Sequence, residues 1–176
     1  TKSVTDMSYM FDNCCSLNRI SVAKFDTSQV TNMRNMFNFC SLLQEIDVKN
    51  FDTNKVEDMS FMFASCRSLS SIDVKNFKTN NVKEMAYMFS DDNRISQLDL
   101  SNFETPNLVN MTGLFRDCSS LLRLQIDKFT TKNVKDMSYL FSGCVSLATI
   151  DTSKLETSNV ENMEGKFSEC SKITKL

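Results

Sequence analysis

The chain of 176 residues has no histidine and no tryptophan, and it holds only three glycines and one proline. Without histidine, the commonest general base and metal-ligating side chain is gone, and no Ser/His/Asp or Cys/His set can be assembled. Three glycines are too few for phosphate-cradling loops, and neither a P-loop nor a dinucleotide fingerprint occurs. No uninterrupted apolar run reaches the ~20 residues of a membrane-spanning helix, and the first residues do not themselves form a charged-then-apolar leader. Basic excess is missing too: the net charge is -2 and the pI is near 5.2, which argues against nucleic acid as partner. With 41% hydrophobic and 24% charged residues the chain can bury a core and does not read as disordered. These exclusions leave a repetitive binding or structural module ahead of an enzyme.

What is present is periodic. Methionine recurs at Met7, Met33, Met59, Met85, Met111, Met137 and Met163, and phenylalanine at Phe11, Phe37, Phe63, Phe89, Phe115, Phe141 and Phe167, always 26 residues apart. All eleven methionines fall at two positions of the unit, twelve of the fourteen phenylalanines at two others, and six of the seven cysteines at one. The units start at Val4, Val30, Val56, Val82, Leu108, Val134 and Val160, the last being partial. Residues 1–176 read as one repeat array with no linker, and as a fragment of a longer chain, since no polar capping unit is visible.

Within one unit Val30, Met33, Met36, Phe37 and Cys40 follow i, i+3, i+6, i+7 and i+10, which predicts one face of an α-helix. Leu43, Ile46 and Val48 then take an L-x-x-I-x-V spacing that predicts a short strand closed by Phe51. Thr27, Thr53, Thr79, Thr105, Thr131 and Thr157 precede each helical stripe as candidate N-caps. Pro106 suits a first helical position after Thr105. Asp6, Asn32, Asp58, Glu84, Asn110, Asp136 and Asn162 suit a helix dipole. The expected fold is an α/β solenoid: a right-handed array of helix-plus-parallel-strand units, strands on the concave side.

The motif running F-x-T-x-x-V-x-x-M-x-x-M-F-x-x-C-x-x-L, as in FDTSQVTNMRNMFNFCSLLQEIDV, resembles the 26-residue repeat of BspA-like bacterial surface proteins, a branch of the leucine-rich repeats. The resemblance covers nearly the whole chain. It implies a surface or secreted, in part lipid-anchored protein, engaged in adhesion or ligand binding. The usual turn asparagine after the strand is replaced by Phe25, Phe51, Phe77, Phe103, Phe129 and Leu155, which leaves the turn's hydrogen bonds to other groups, the threonines among them.

Candidate functional residues lie outside the apolar stripes. Asp47, Asp73, Asp99 and Asp151 alternate with inward residues and would line up on the strand face, with Lys49 and Lys75 two residues on and Arg19, Glu45 and Arg123 along the other side. That face is either a solvated surface or a binding surface for a protein or glycan; Ca²⁺ is conceivable, though no loop carries the alternating acidic spacing it favours. Tyr9, Phe61, Tyr87 and Tyr139 share one position on the outer helix face and form a second candidate surface. The cysteine series Cys14, Cys40, Cys66, Cys118, Cys144 and Cys170, interrupted by Asp92, reads as a buried thiol ladder. Helix-width spacing would keep its members too far apart for disulfides. Lys166 beside Gly165 marks the last unit as degenerate. No catalytic residue, metal site or cofactor is expected, and the oligomeric state is open. The leading expectation is an adhesin-type module binding a macromolecule on a host or neighbouring cell. The alternatives are a structural spacer or antigenic coat, or an intracellular scaffold that free thiols would suit.

Overall fold

The computed structural model describes residues 1–175. The 26-residue units stack one upon the next, joined by parallel backbone pairing. One column of bridges runs through every unit, linking Asp6, Asn32, Asp58, Glu84, Asn110, Asp136 and Asn162 in order. A second column is intermittent. Strand β1 (Gln97–Asp99) pairs in parallel with strand β2 (Arg123–Gln125), Leu98 opposite Leu124. Elsewhere in that column single bridges join Arg19 to Glu45 and Thr149 to Lys175. Pairing of this kind sets successive units ~4.8 Å apart.

The expected helix does not form: among the described residues there is no helix in any unit. In the second unit the N–H groups of Met33, Asn35, Phe37 and Phe39 donate to carbonyls of the next unit, all at 2.9 Å. The intervening N–H groups of Met36, Asn38 and Cys40 donate three residues back, to Met33, Asn35 and Phe37, at 3.1–3.2 Å. Asn35 and Phe39 have φ of 57° and 56°, the positive φ that a type II turn demands at its third residue. Each unit is thus a chain of tight turns laid against its neighbour. Turns stepping by three residues place Val30, Met33, Met36, Phe37 and Cys40 inward just as a helical stripe would, so apolar spacing alone does not separate the two. The helix half of the expected helix-plus-strand unit, and with it the α/β description, therefore falls away.

The core is a set of columns. Phe11, Phe37, Phe63, Phe89, Phe115, Phe141 and Phe167 stack with ring centroids 5.4–6.2 Å apart and planes within 13°. A second column of Phe51, Phe77, Phe103 and Phe129 stacks at 6.0–6.5 Å. These spacings fall in the range where offset aromatic pairs add ~0.5–1.5 kcal/mol to area burial. The methionines from Met33 to Met137 are buried in the same core cluster.

The threonines do not cap helices. Thr27, Thr53, Thr79, Thr105 and Thr131 are buried to 1% exposure or less and staple units together. Thr53 Oγ1 donates to the Lys78 carbonyl at 3.0 Å and accepts the Lys78 N–H at 2.7 Å. Thr27 and Thr105 do the same with Asp52 and Thr130. Thr1 belongs to this ladder through Asp26, whereas Thr157 is exposed. Asn50, Asn76 and Asn102 reach back to carbonyls of the preceding unit, as do Asn81, Asn107, Asn133 and Asn159. Together these side chains supply the turn hydrogen bonds that the phenylalanines cannot. The Asp and Asn residues expected at a helix start instead close Asx turns, Oδ1 of Asp6, Asn32, Asp58, Asn110, Asp136 and Asn162 each accepting the N–H two residues on.

Candidate functional site

Two surfaces carry the candidate residues. On the first, the second bridge column, half-buried apolar side chains (Ile46, Ile72, Leu124) form a floor, and polar residues stand at both sides. Its widest part is a groove of about 610 Å³ between Ile72 and Asp151, to which four successive units contribute, with Asp73, Lys75, Asp99 and Arg123 on its walls. A smaller recess of about 340 Å³ continues the face past Arg19, Glu45, Asp47 and Lys49. The structure thus brings all nine strand-face candidates to one side.

The acids of that face are held by their own backbone. Oδ1 of Asp47, Asp73, Asp99 and Asp151 accepts the N–H of Lys49, Lys75, Ser101 and Ser153, at 2.9–3.2 Å. Hydrogen bonds from Ser101 and Ser153 hold the Asp99 and Asp151 carboxyls below the usual carboxylate value. Lys75 Nζ lies 3.2 Å from Asp99 Oδ2 and Arg19 Nε 3.3 Å from Glu45 Oε1; both are solvent-exposed pairs worth ~0–1 kcal/mol. Among the described residues no group of three or more Cys, Asp and Glu is placed to hold a metal ion.

On the second surface, Tyr9, Phe61, Tyr87 and Tyr139 lie not on a helix but at the first left-handed position of their units, φ 55–58°. Asn35, Gly113 and Gly165 hold the same position, and Asn13, Phe39, Ser65, Asp91, Asp117, Gly143 and Glu169 hold a second one four residues on. All three glycines of the chain fall at these two positions, the signal by which the sequence could have disclosed turns in place of a helix. Each aromatic ring leans toward the next unit: Phe61 stacks on Tyr87 at 4.9 Å. A Cβ at Gly113 would stand 2.3 Å from the Tyr87 ring, and one at Gly165 2.7 Å from Tyr139. Tyr139 hydrogen-bonds Glu164, and Arg34 and Arg116 lie over Phe61 and Tyr139. The two phenylalanines outside the unit's two recurrent phenylalanine positions, Phe39 and Phe61, both sit on this surface.

The cysteine ladder is buried from Cys40 to Cys144, while Cys14 is exposed and Cys170 intermediate. Helix-width spacing does not bar disulfides here, because units lie a strand's width apart. The thiols are nonetheless free and engaged as donors. Sγ of Cys40, Cys66, Cys118, Cys144 and Cys170 each donates to the carbonyl of a phenylalanine 29 residues earlier, at 2.9–3.3 Å. Burial pushes the Cys40 thiol up to about 11 and that of Cys144 to about 12, so neither supplies a nucleophilic thiolate near neutrality. In the fourth unit Asp92 takes the slot. It is fully buried, Oδ1 accepts the Cys66 N–H at 2.9 Å, and Oδ2 has no partner. Burial raises its carboxyl well above the ordinary value.

Comparison with known proteins agrees with this architecture. No curated protein matches the chain. Among solved structures, a leucine-rich repeat protein from T. pallidum superposes over 97% of this chain and 72% of its own, with TM-score 0.63 and 20% identity. A leucine-rich repeat protein from Bacteroides ovatus superposes over 92% of this chain, which spans 41% of that protein, with TM-score 0.55 and 20% identity. At such identities the likeness speaks for a repeat solenoid fold. The family model described as "Mycoplasma protein of unknown function, DUF285" matches residues 1–97 and again 68–176. With both halves matched and the 26-residue motif in every unit, the chain belongs to this BspA-like repeat family.

Proposed function

We propose that the chain is a non-catalytic recognition module of a surface protein, and that it binds a protein or glycan of a host or neighbouring cell through the strand-column face. The observation that carries this reading is the groove of about 610 Å³, built from four successive units, with an apolar floor and walls of Asp73, Lys75, Asp99 and Arg123. A stack of identical backbones that varies its side chains on one open face is the usual way repeat arrays acquire a binding surface. Hydrogen bonds hold the Asp99 and Asp151 carboxyls of that face low, the opposite of what a general acid near neutrality needs.

A second reading, a spacer or coat that binds nothing, is favoured by one specific observation: each of the four aspartates is satisfied by its own Asx turn. The test is retention of host-cell surface components on the immobilised chain, compared with an Asp73→Lys/Asp99→Lys variant. Loss of retention in the variant, with unchanged thermal unfolding, supports recognition by this face. Equal retention by both forms removes the face, and no retention by either leaves the spacer reading. Protease shaving of intact cells locates the protein, and persistence of the chain after shaving would favour the intracellular scaffold.

A further inference from the structure

The surface of left-handed turns holds a recess of about 290 Å³, separate from the strand-column groove, lined by Phe39, Phe61, Tyr87, Asp91, Arg116 and Asp117. Its volume equals about ten water molecules and lies at the small end of ligand pockets. Phe39 is 47% exposed in a left-handed conformation, φ 56°, which is uncommon for any non-glycine residue and least expected of a bulky one. The fold does not require a ring there: the sixth unit has Gly143 at the equivalent position. The Phe39 ring covers no core and is held in an unfavourable backbone conformation, so its value lies outside the packing of the array.

The polar lining fixes the class of ligand. Asp91 Oδ2 faces Arg67 Nη2 at 3.5 Å, and Asp117 Oδ2 faces Arg116 Nε at 3.2 Å. Arg116 lines the recess and Arg67 reaches Asp91 from outside it, so the two acids are matched by two bases and the site has no net charge. A cation would meet carboxylates already matched by arginines, and a phosphate or sulfate would meet Asp91 and Asp117. What suits aromatic faces beside paired donors and acceptors is an uncharged ligand with an apolar face and several hydroxyls. The geometry points to a neutral glycan, one pyranose unit stacked on the exposed ring of Phe39, with its hydroxyls shared among Asp91, Arg116 and Asp117.

The test uses a printed array of neutral, sialylated and sulfated oligosaccharides, probed with the chain and with Phe39→Gly. Glycine removes the ring and accepts the positive φ, so this variant should unfold at the same or a higher temperature while losing neutral-glycan signal at least tenfold. Asp117→Asn should weaken the signal with the fold intact. The Asp73→Lys/Asp99→Lys variant should keep it, which separates this site from the strand-column face. Absence of neutral-glycan signal, a preference for sialylated or sulfated glycans, or full signal from a folded Phe39→Gly chain would each overturn the assignment.

Discussion

The two sides of each unit solve the problem of stacking differently. On the turn side, alternate N–H groups bond the next unit, the bridge column is unbroken from Asp6 to Asn162, and the side chains beneath are phenylalanine, methionine and cysteine at nearly every repeat. On the strand side, among the described residues, three-residue pairing occurs only between the fourth and fifth units, and single bridges serve the first and second and the sixth and seventh. There the exposed positions change from Arg19 to Glu45 to Gln97 to Thr149. Backbone that is held at every second residue demands uniform side chains below it. Backbone that is held loosely tolerates variety, and variety is what a recognition surface needs.

If the turn side holds the array together, removing one of its rings should cost more than trimming the strand-side floor. Phe89 is fully buried between Phe63 and Phe115, and Phe89→Ala should cost about 3–5 kcal/mol in denaturant unfolding. Ile72→Ala, at a half-buried floor position, should cost clearly less; equal losses would erase the distinction. Next in size is the threonine staple. Thr53→Val keeps the shape but strands the N–H and C=O of Lys78, for a loss of about 1–3 kcal/mol.

The finest probe is Asp92, which breaks the uniformity of the turn side. Its carboxyl is raised by burial above the ordinary 3.8, so the folded chain holds this proton more tightly than the unfolded chain. Stability is fully present below the unfolded value and falls as pH rises through the folded value, with a slope of at most about 1.4 kcal/mol per pH unit from this one group. The neighbouring thiols of Cys66 and Cys118 are pushed upward by burial and stay uncharged through that window. Asp92→Cys would place an S–H where register puts the Phe63 carbonyl, and should flatten the decline. Denaturant melts across pH 4–8 measure it; an unchanged slope in the variant would show that Asp92 is not its source.

Much of this was legible in the residues. The period, the inward set from Val30 to Phe51 and the exposed aspartates all follow from spacing. The helix was misread because turns advancing by three residues bury Met33, Met36, Phe37 and Cys40 as a helix would; what differs is the sign of φ, which apolar spacing does not encode. The three glycines did encode it, being confined to the two left-handed positions, but Tyr9, Phe39 and Tyr139 at equivalent positions obscured the rule. The threonines were singled out for the right regularity and the wrong partner, since an inter-unit bond spans 25 residues and a cap spans three. The Phe39 recess was invisible, because its ring and its acids come from units that only stacking brings together.

The hydrogen-bond ladders reach only from one unit to the next, whether through backbone, threonine, asparagine or thiol. Mechanical load or thermal opening should therefore spread like a zipper, tooth by tooth, with each loss felt by two neighbours and by nothing farther away. A gene that gained or lost 26 codons in register would change the length of such a ribbon and leave the joints on either side of the edit unaltered.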